Sequence, residues 1–248
     1  MAAASNSDFN AWARRWMELA KFSGKHLPDA EGRIASLAAL WQEPIPGDGV
    51  WKRGRDERLL DPDRRYCRSN HLPESLRRGE HAIEYDVLDP SPADVTTITG
   101  GGRLVDGVNA LPLTKDILGG GRSGNVEADM LLLVRNDNAY RLLLVEVKTG
   151  SDNAWFAVVE NLRQLRLFSE SVETQQLFHQ RCPELNLPQS LPVTAVVLAP
   201  ESFYLAKGAK AASVAPAEKL LRRMHDEAGV EGQLATWQRT IEPWASRS

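Results

Sequence analysis

Two apolar runs joined by a short polar break stand out in the hydrophobic pattern of this chain. Residues 126–134 (VEADMLLLV) and 140–148 (YRLLLVEVK) are built mainly of Leu, Val and other strand formers, and Asn136, Asp137, Asn138 and Ala139 lie in and around the break. Asn and Asp tolerate the positive φ that tight hairpin turns require. With Asp137-Asn138 as a two-residue turn, residues equidistant from it pair, which sets Asp129 opposite Glu146 and Glu127 opposite Lys148. Side chains alternate along a strand, so these four polar groups meet on one face at one end of the hairpin. Leu131, Leu133, Leu142 and Leu144 continue that face, and Ala128, Met130, Leu132, Val134, Leu143, Val145 and Val147 line the other. Strands apolar on both faces belong in the middle of a covered sheet.

The helical period appears elsewhere. Residues 7–22 carry Phe9, Trp12, Trp16 and Leu19 at helical spacing, with the tryptophans read as core. A second helix is expected over 29–42, capped by Asp29. The clearest helix spans 152–171, with Asp152 as its N-cap and an apolar stripe of Trp155, Val158, Val159, Leu162 and Leu165. Asn161, Gln164 and Phe168 lie on an adjacent face. A further helix follows Pro73 through about Tyr85. Thr96–Thr99 and Arg103–Leu111 read as first-strand material, and Pro192–Pro200 as a strand beside Val145–Lys148, reached by a right-handed crossover through 152–171. Segments 216–228 and 233–244 read as closing helices. The fold class is α/β: a small mixed central sheet flanked by helices. Residues 1–70 form an N-terminal helical region with a basic segment, 71–205 the α/β core, and 206–248 a C-terminal helical cap.

Opposed Asp and Glu in a covered sheet repel by on the order of several kcal/mol at low dielectric. A bound cation removes that penalty, and Mg²⁺ prefers hard oxygen ligands with positions left open for water and phosphate. Lys148 beside the pair would orient a water and stabilise developing negative charge. The alternative is a solvated rim with a surface ion pair.

Asp129, then Glu146-Val147-Lys148, then a helix carrying Gln164 resembles the PD-(D/E)XK nuclease superfamily, over about residues 75–205. The resemblance implies a restriction-endonuclease-like core. It implies metal binding by Asp129, Glu146 and the Val147 carbonyl, with Mg²⁺ as the ion and Mn²⁺ as a substitute, and a water assisted by Lys148. Gln164 matches the first position of a Gln-X-X-X-Tyr element, with Phe168 where that element has Tyr. Ala128 stands where the family's Pro precedes the Asp. An extra acid on the helix before the sheet is a family feature, for which Glu74, Glu80 and Glu84 are candidates, each read as a surface charge from sequence alone. The implied activity is Mg²⁺-dependent hydrolysis of nucleic-acid phosphodiesters, DNA ahead of RNA. The rival is a catalytically silent nuclease-like module that binds nucleic acid or protein.

Composition narrows this picture only in places. The 248 residues carry a net charge of −3, which argues against a protein that coats nucleic acid but permits a local basic groove. That groove would come from 51–78, where nine Lys/Arg are interleaved with five acids. Arg53, Arg55 and Arg65 are its candidate phosphate contacts, against the reading of an ordinary solvated face. Arg122, in the glycine cluster at 119–124, is another, against a plain connection. That cluster lacks the Lys-Ser/Thr of a P-loop. Two cysteines, Cys67 and Cys182, make neither a disulfide framework nor a four-Cys iron–sulfur site. The histidines form no zinc pattern, and no Gly-X-Ser-X-Gly occurs. No run of about 18 apolar residues is present, so no membrane helix is expected. The first residues lack an apolar leader core, so a cytoplasmic location is expected. A homodimer or an accessory protein partner is left open.

Overall fold

A computed structural model describes residues 6–22, 27–47, 49, 51–52, 57–60, 79–88, 96–114, 126–150 and 152–237. In chain order the elements begin with helices α1 (Asn6–Ala20), α2 (Ala30–Gln42), α3 (Glu80–Leu88) and the single turn α4 (Thr96–Thr99). Strands β1 (Arg103–Pro112), β2 (Glu127–Asn136) and β3 (Ala139–Val147) follow, then α5 (Ala154–Phe168) and the short α6 (Val172–Gln175) and α7 (Leu177–Arg181). Strand β4 (Val193–Pro200), α8 (Glu201–Tyr204), α9 (Ala209–Ala228) and β5 (Glu231–Trp237) complete it.

The five strands form one open mixed sheet in the order β1-β2-β3-β4-β5. β1, β2 and β3 are antiparallel, whereas β4 and β5 run parallel to β3. The β2–β3 hairpin closes at Asn136↔Ala139 and keeps its expected register through Met130↔Val145. Asp137 takes the positive φ of 50° that the two-residue turn demands. Both faces of this hairpin are buried, as its continuous apolar pattern requires. Leu131, Leu133, Leu142 and Leu144 share one core with α1, α2, α5 and α9, and Met130, Leu132, Val134, Leu143, Val145 and Val147 share the other with α3.

Four sequence expectations change. Thr96–Thr99 is a helical turn rather than a strand, and β1 begins only after Gly100-Gly101, both at positive φ. The cap of α5 is Asn153, whose side chain accepts the Phe156 N–H at 3.0 Å, rather than Asp152. Helix α9 starts at Ala209 and runs through Pro216 instead of starting there. Segment 231–237 is a strand, paired in parallel along the open edge of β4 from Thr194↔Glu231 to Pro200↔Trp237. The remainder of 233–244 lies outside the described residues.

Packing fixes α5 in place. Trp155 Nε1 donates to the Leu19 carbonyl at 2.9 Å, and Arg166 Nε donates to the Trp41 carbonyl at 3.0 Å. On the sheet side, Asn161 Nδ2 donates to the Leu144 carbonyl at 3.1 Å. The helix is tied to β3 on one side and to the α1–α2 layer on the other.

A candidate metal and phosphate site

The hairpin end, the middle of α5 and the middle of α3 supply the groups of this site. One step beyond Met130↔Val145, β2 and β3 carry Asp129 and Glu146. The Val147 N–H donates to Oδ2 of Asp129 at 2.7 Å, so the carboxylate itself braces the strand end. On its other side β3 stays in the parallel ladder, and the Lys148 N–H reaches the Leu198 carbonyl at 2.9 Å. The Glu146-Val147-Lys148 backbone is thus held from both edges.

Glu146 points to the α5 face and is 3% exposed. Each of its oxygens has a partner: Lys148 Nζ lies 2.5 Å from Oε1, and Gln164 Nε2 donates to Oε2 at 2.7 Å. Gln164 also donates to the Glu127 carbonyl at 2.9 Å, linking both hairpin strands to the helix. Lys148 Nζ has a second ion pair with Glu160 Oε2 at 3.0 Å and a longer contact to Asp152 Oδ2 at 3.8 Å. The β2–β3 ladder stops at Met130↔Val145, short of the expected Asp129–Glu146 and Glu127–Lys148 pairs. Phe168, at the position where the resembled element has Tyr, is wholly buried in the core.

The acid from α3 is Glu84. It is 2% exposed, which overturns its reading as a surface charge. Asn109 Nδ2 donates to its Oε2 at 2.9 Å, and His81 Nδ1 lies 3.0 Å from its Oε1. Glu80 is partly covered, and Glu74 lies outside the described residues. So do Arg53, Arg55, Arg65 and Arg122.

These charges act on one another. The Asp129 residue is partly open at the rim, yet protein packs densely around its carboxylate. That burial and the field of Glu84 push it up to about 7, against the pull of the Val147 N–H and Lys148. Burial, then Asp129 and Glu160, raise Glu146 well above the usual carboxylate range. Burial alone would lower Lys148, but Glu146 and Glu160 outweigh it, so the ammonium stays protonated. Three carboxylates, Glu146, Glu160 and Asp129, thus act on one ammonium, with the Arg163 guanidinium beside Glu160 and the Glu84 carboxylate acting on Asp129.

Among the described residues, no group of three or more His, Cys, Asp or Glu side chains is gathered so that it could hold a metal ion unaided. The donor chemistry nevertheless fits a hard divalent cation. Asp129, Glu146 and the Val147 carbonyl offer oxygen alone, and Mg²⁺ is commonly held by one or two carboxylates with water and phosphate completing its shell. Burial and Glu84 disfavour the charge on Asp129, a cost that a bound cation would offset.

Sequence reasoning placed Asp129, Glu146, Lys148 and Gln164 together, and the structure unites them. It missed Glu160 and Arg163. Their signal was present, since Glu160 stands four residues before Gln164 and three before Arg163, the spacings that bring helix side chains together. Among the described residues, no helix is long and apolar enough to cross a membrane.

No protein-family model, curated protein or solved structure matches this chain.

Proposed function

We propose that this protein is a Mg²⁺-dependent nuclease that hydrolyses phosphodiester bonds of nucleic acid, DNA in preference to RNA, in the manner of the PD-(D/E)XK superfamily it resembles. One observation carries the reading. Asp129 and Glu146 lie just beyond the last paired residues of adjacent strands, close enough for their charges to act on one another, with Lys148 and Gln164 bonded to Glu146. Two mutually repelling carboxylates at one buried strand end are costly as pure structure, whereas metal-assisted phosphoryl chemistry uses such a pair.

Asp129, Glu146 and the Val147 carbonyl would hold Mg²⁺ or Mn²⁺, which when bound polarises the phosphoryl group and acidifies a water. Gln164 fixes the rotamer of Glu146 from the helix side. The Val147 N–H fixes Asp129 from the strand side. Lys148, protonated and shared between Glu146 and Glu160, supplies an ammonium that can orient the attacking water and offset charge growing on the phosphoryl oxygens. Glu84 adds negative potential behind Asp129, which favours a divalent ion over a monovalent one.

A specific observation favours the silent-module reading as a rival: the Lys148 ammonium already has two carboxylate partners, as a purely structural counter-ion would. Incubation of supercoiled plasmid and single-stranded DNA with Mg²⁺ or Mn²⁺, beside Lys148→Ala, separates the two. Metal-dependent cleavage lost in the variant supports the nuclease. No cleavage in either metal, or equal cleavage by the variant, defeats it.

A further inference from the structure

Arg163 is the one arginine of α5 that borders the carboxylate cluster. Its side chain is only 12% exposed. Among the described residues its buried Nε has no hydrogen-bond partner. The nearest carboxylate oxygen, Glu160 Oε1, is 3.9 Å from Nη2, too far for a hydrogen bond. The reason is visible next door, where Glu160 turns its other oxygen to Lys148 at 3.0 Å. By contrast, Arg166, one turn further along, is fully engaged by Trp41, Glu43 and Glu170.

An arginine carries five donors in a planar fork and cannot shed its charge. The Arg163 Nε is buried without an acceptor, which is unfavourable, so its position calls for an incoming one. The fork matches two oxygens of a phosphate group, which it binds bidentately. Glu146 and Glu160 lie close enough for their charges to act on the guanidinium, which puts it at the edge of the same site.

We propose that Arg163 is a substrate-binding residue that takes a phosphate of the nucleic-acid chain at or next to the scissile bond. This assignment rests on the nuclease reading for its choice of ligand. It adds a phosphate clamp from the helix to a site otherwise built on the sheet. No covalent step is assigned to it.

The test uses the full chain and does not depend on cleavage. Arginine Nε–H signals are followed by NMR on ¹⁵N-labelled protein, with the Arg163 signal assigned by its absence in Arg163→Lys. A short DNA oligonucleotide is titrated in Ca²⁺, and inorganic phosphate separately. Binding of the oligonucleotide is measured for wild type, Arg163→Lys and Arg163→Gln. The expected result is a shift of the Arg163 Nε–H on oligonucleotide addition, with binding weakened about tenfold or more in both variants, as befits loss of a charge-assisted bond. An unmoved signal with wild-type affinity in the variants overturns the proposal. So does a response to inorganic phosphate alone. Where Arg163→Gln fails to fold, the wild-type NMR titration and Arg163→Lys still decide. Failure of the nuclease reading looks different: the Arg163 signal shifts with oligonucleotide, yet no metal supports cleavage.

Discussion

Gln164 bonds Glu146 at 2.7 Å and, with the same amide, the Glu127 carbonyl at 2.9 Å. One side chain from α5 therefore fixes a charged group of β3 and the backbone of β2 together.

Gln164→Ala is expected to lower both stability and cleavage. Two buried acceptors lose their donor, which costs about 1–3 kcal/mol. Released from Gln164, Glu146 samples other rotamers, and kcat is expected to fall about ten- to hundredfold, the range seen when a supporting partner of a metal ligand is removed. Urea denaturation and single-turnover cleavage measure the two effects. Unchanged cleavage would remove Gln164 from the site.

Lys148→Ala is expected to separate metal binding from chemistry. Removing the ammonium leaves Glu146 and Glu160 uncompensated, a loss of about 3–5 kcal/mol for a buried pair broken on one side. A divalent ion replaces that charge, so Mg²⁺ should stabilise the variant more than wild type while cleavage disappears. Thermal denaturation with and without Mg²⁺ reads the first effect. A smaller Mg²⁺-induced rise in Tm than in wild type would show that Lys148 does not compete with the metal for these carboxylates.

The pH dependence of stability has a definite sign. Asp129 is pushed up to about 7 in the folded chain from an ordinary value near 3.8. The folded state therefore holds a proton that the unfolded state has lost across that window, so this group's stabilising contribution is present below about pH 4 and is lost as pH rises towards 7. Glu146 shifts in the same direction. Mg²⁺ should consequently raise Tm more at about pH 8 than at about pH 5, where it competes with protons. Equal Mg²⁺ effects at the two pH values would contradict this picture.

Glu84→Gln tests the same balance from α3. Losing the charge that ranks after burial in raising Asp129 should move the window's upper limit to lower pH. The Asn109 contact at 2.9 Å needs only an acceptor, which the Gln amide still provides, so global stability should change by about 1 kcal/mol or less. The pH profile of Tm, compared with wild type, is the measurement. An unchanged profile would place Glu84 outside the field of Asp129.

The hairpin was legible in the sequence because three independent signals agreed. Asn and Asp mark a turn, both strands are apolar on both faces, and the polar residues fall at one end. Local chemistry fixes such a feature. Gln164 was legible once α5 was phased by its apolar stripe. The burial of Glu84 was not, because it depends on how α3 lies across the sheet and on Asn109, 25 residues away. Strand β5 was misread for a similar reason: QLATW has no strong period of its own, and only β4 gives it a partner. The unpartnered Nε of Arg163 was equally hidden, since it depends on how Glu160 turns towards Lys148 in three dimensions.

The anchors behind α5 carry a mechanical meaning. The carbonyls of Leu19, Trp41 and Glu43 grip Trp155 and Arg166 on the side of the helix away from the sheet. A push on the α1–α2 layer and the turn after it, as from a bound partner, would reach Gln164 through α5. The opening stretch of the chain then acts as a tuning peg for a site more than a hundred positions downstream.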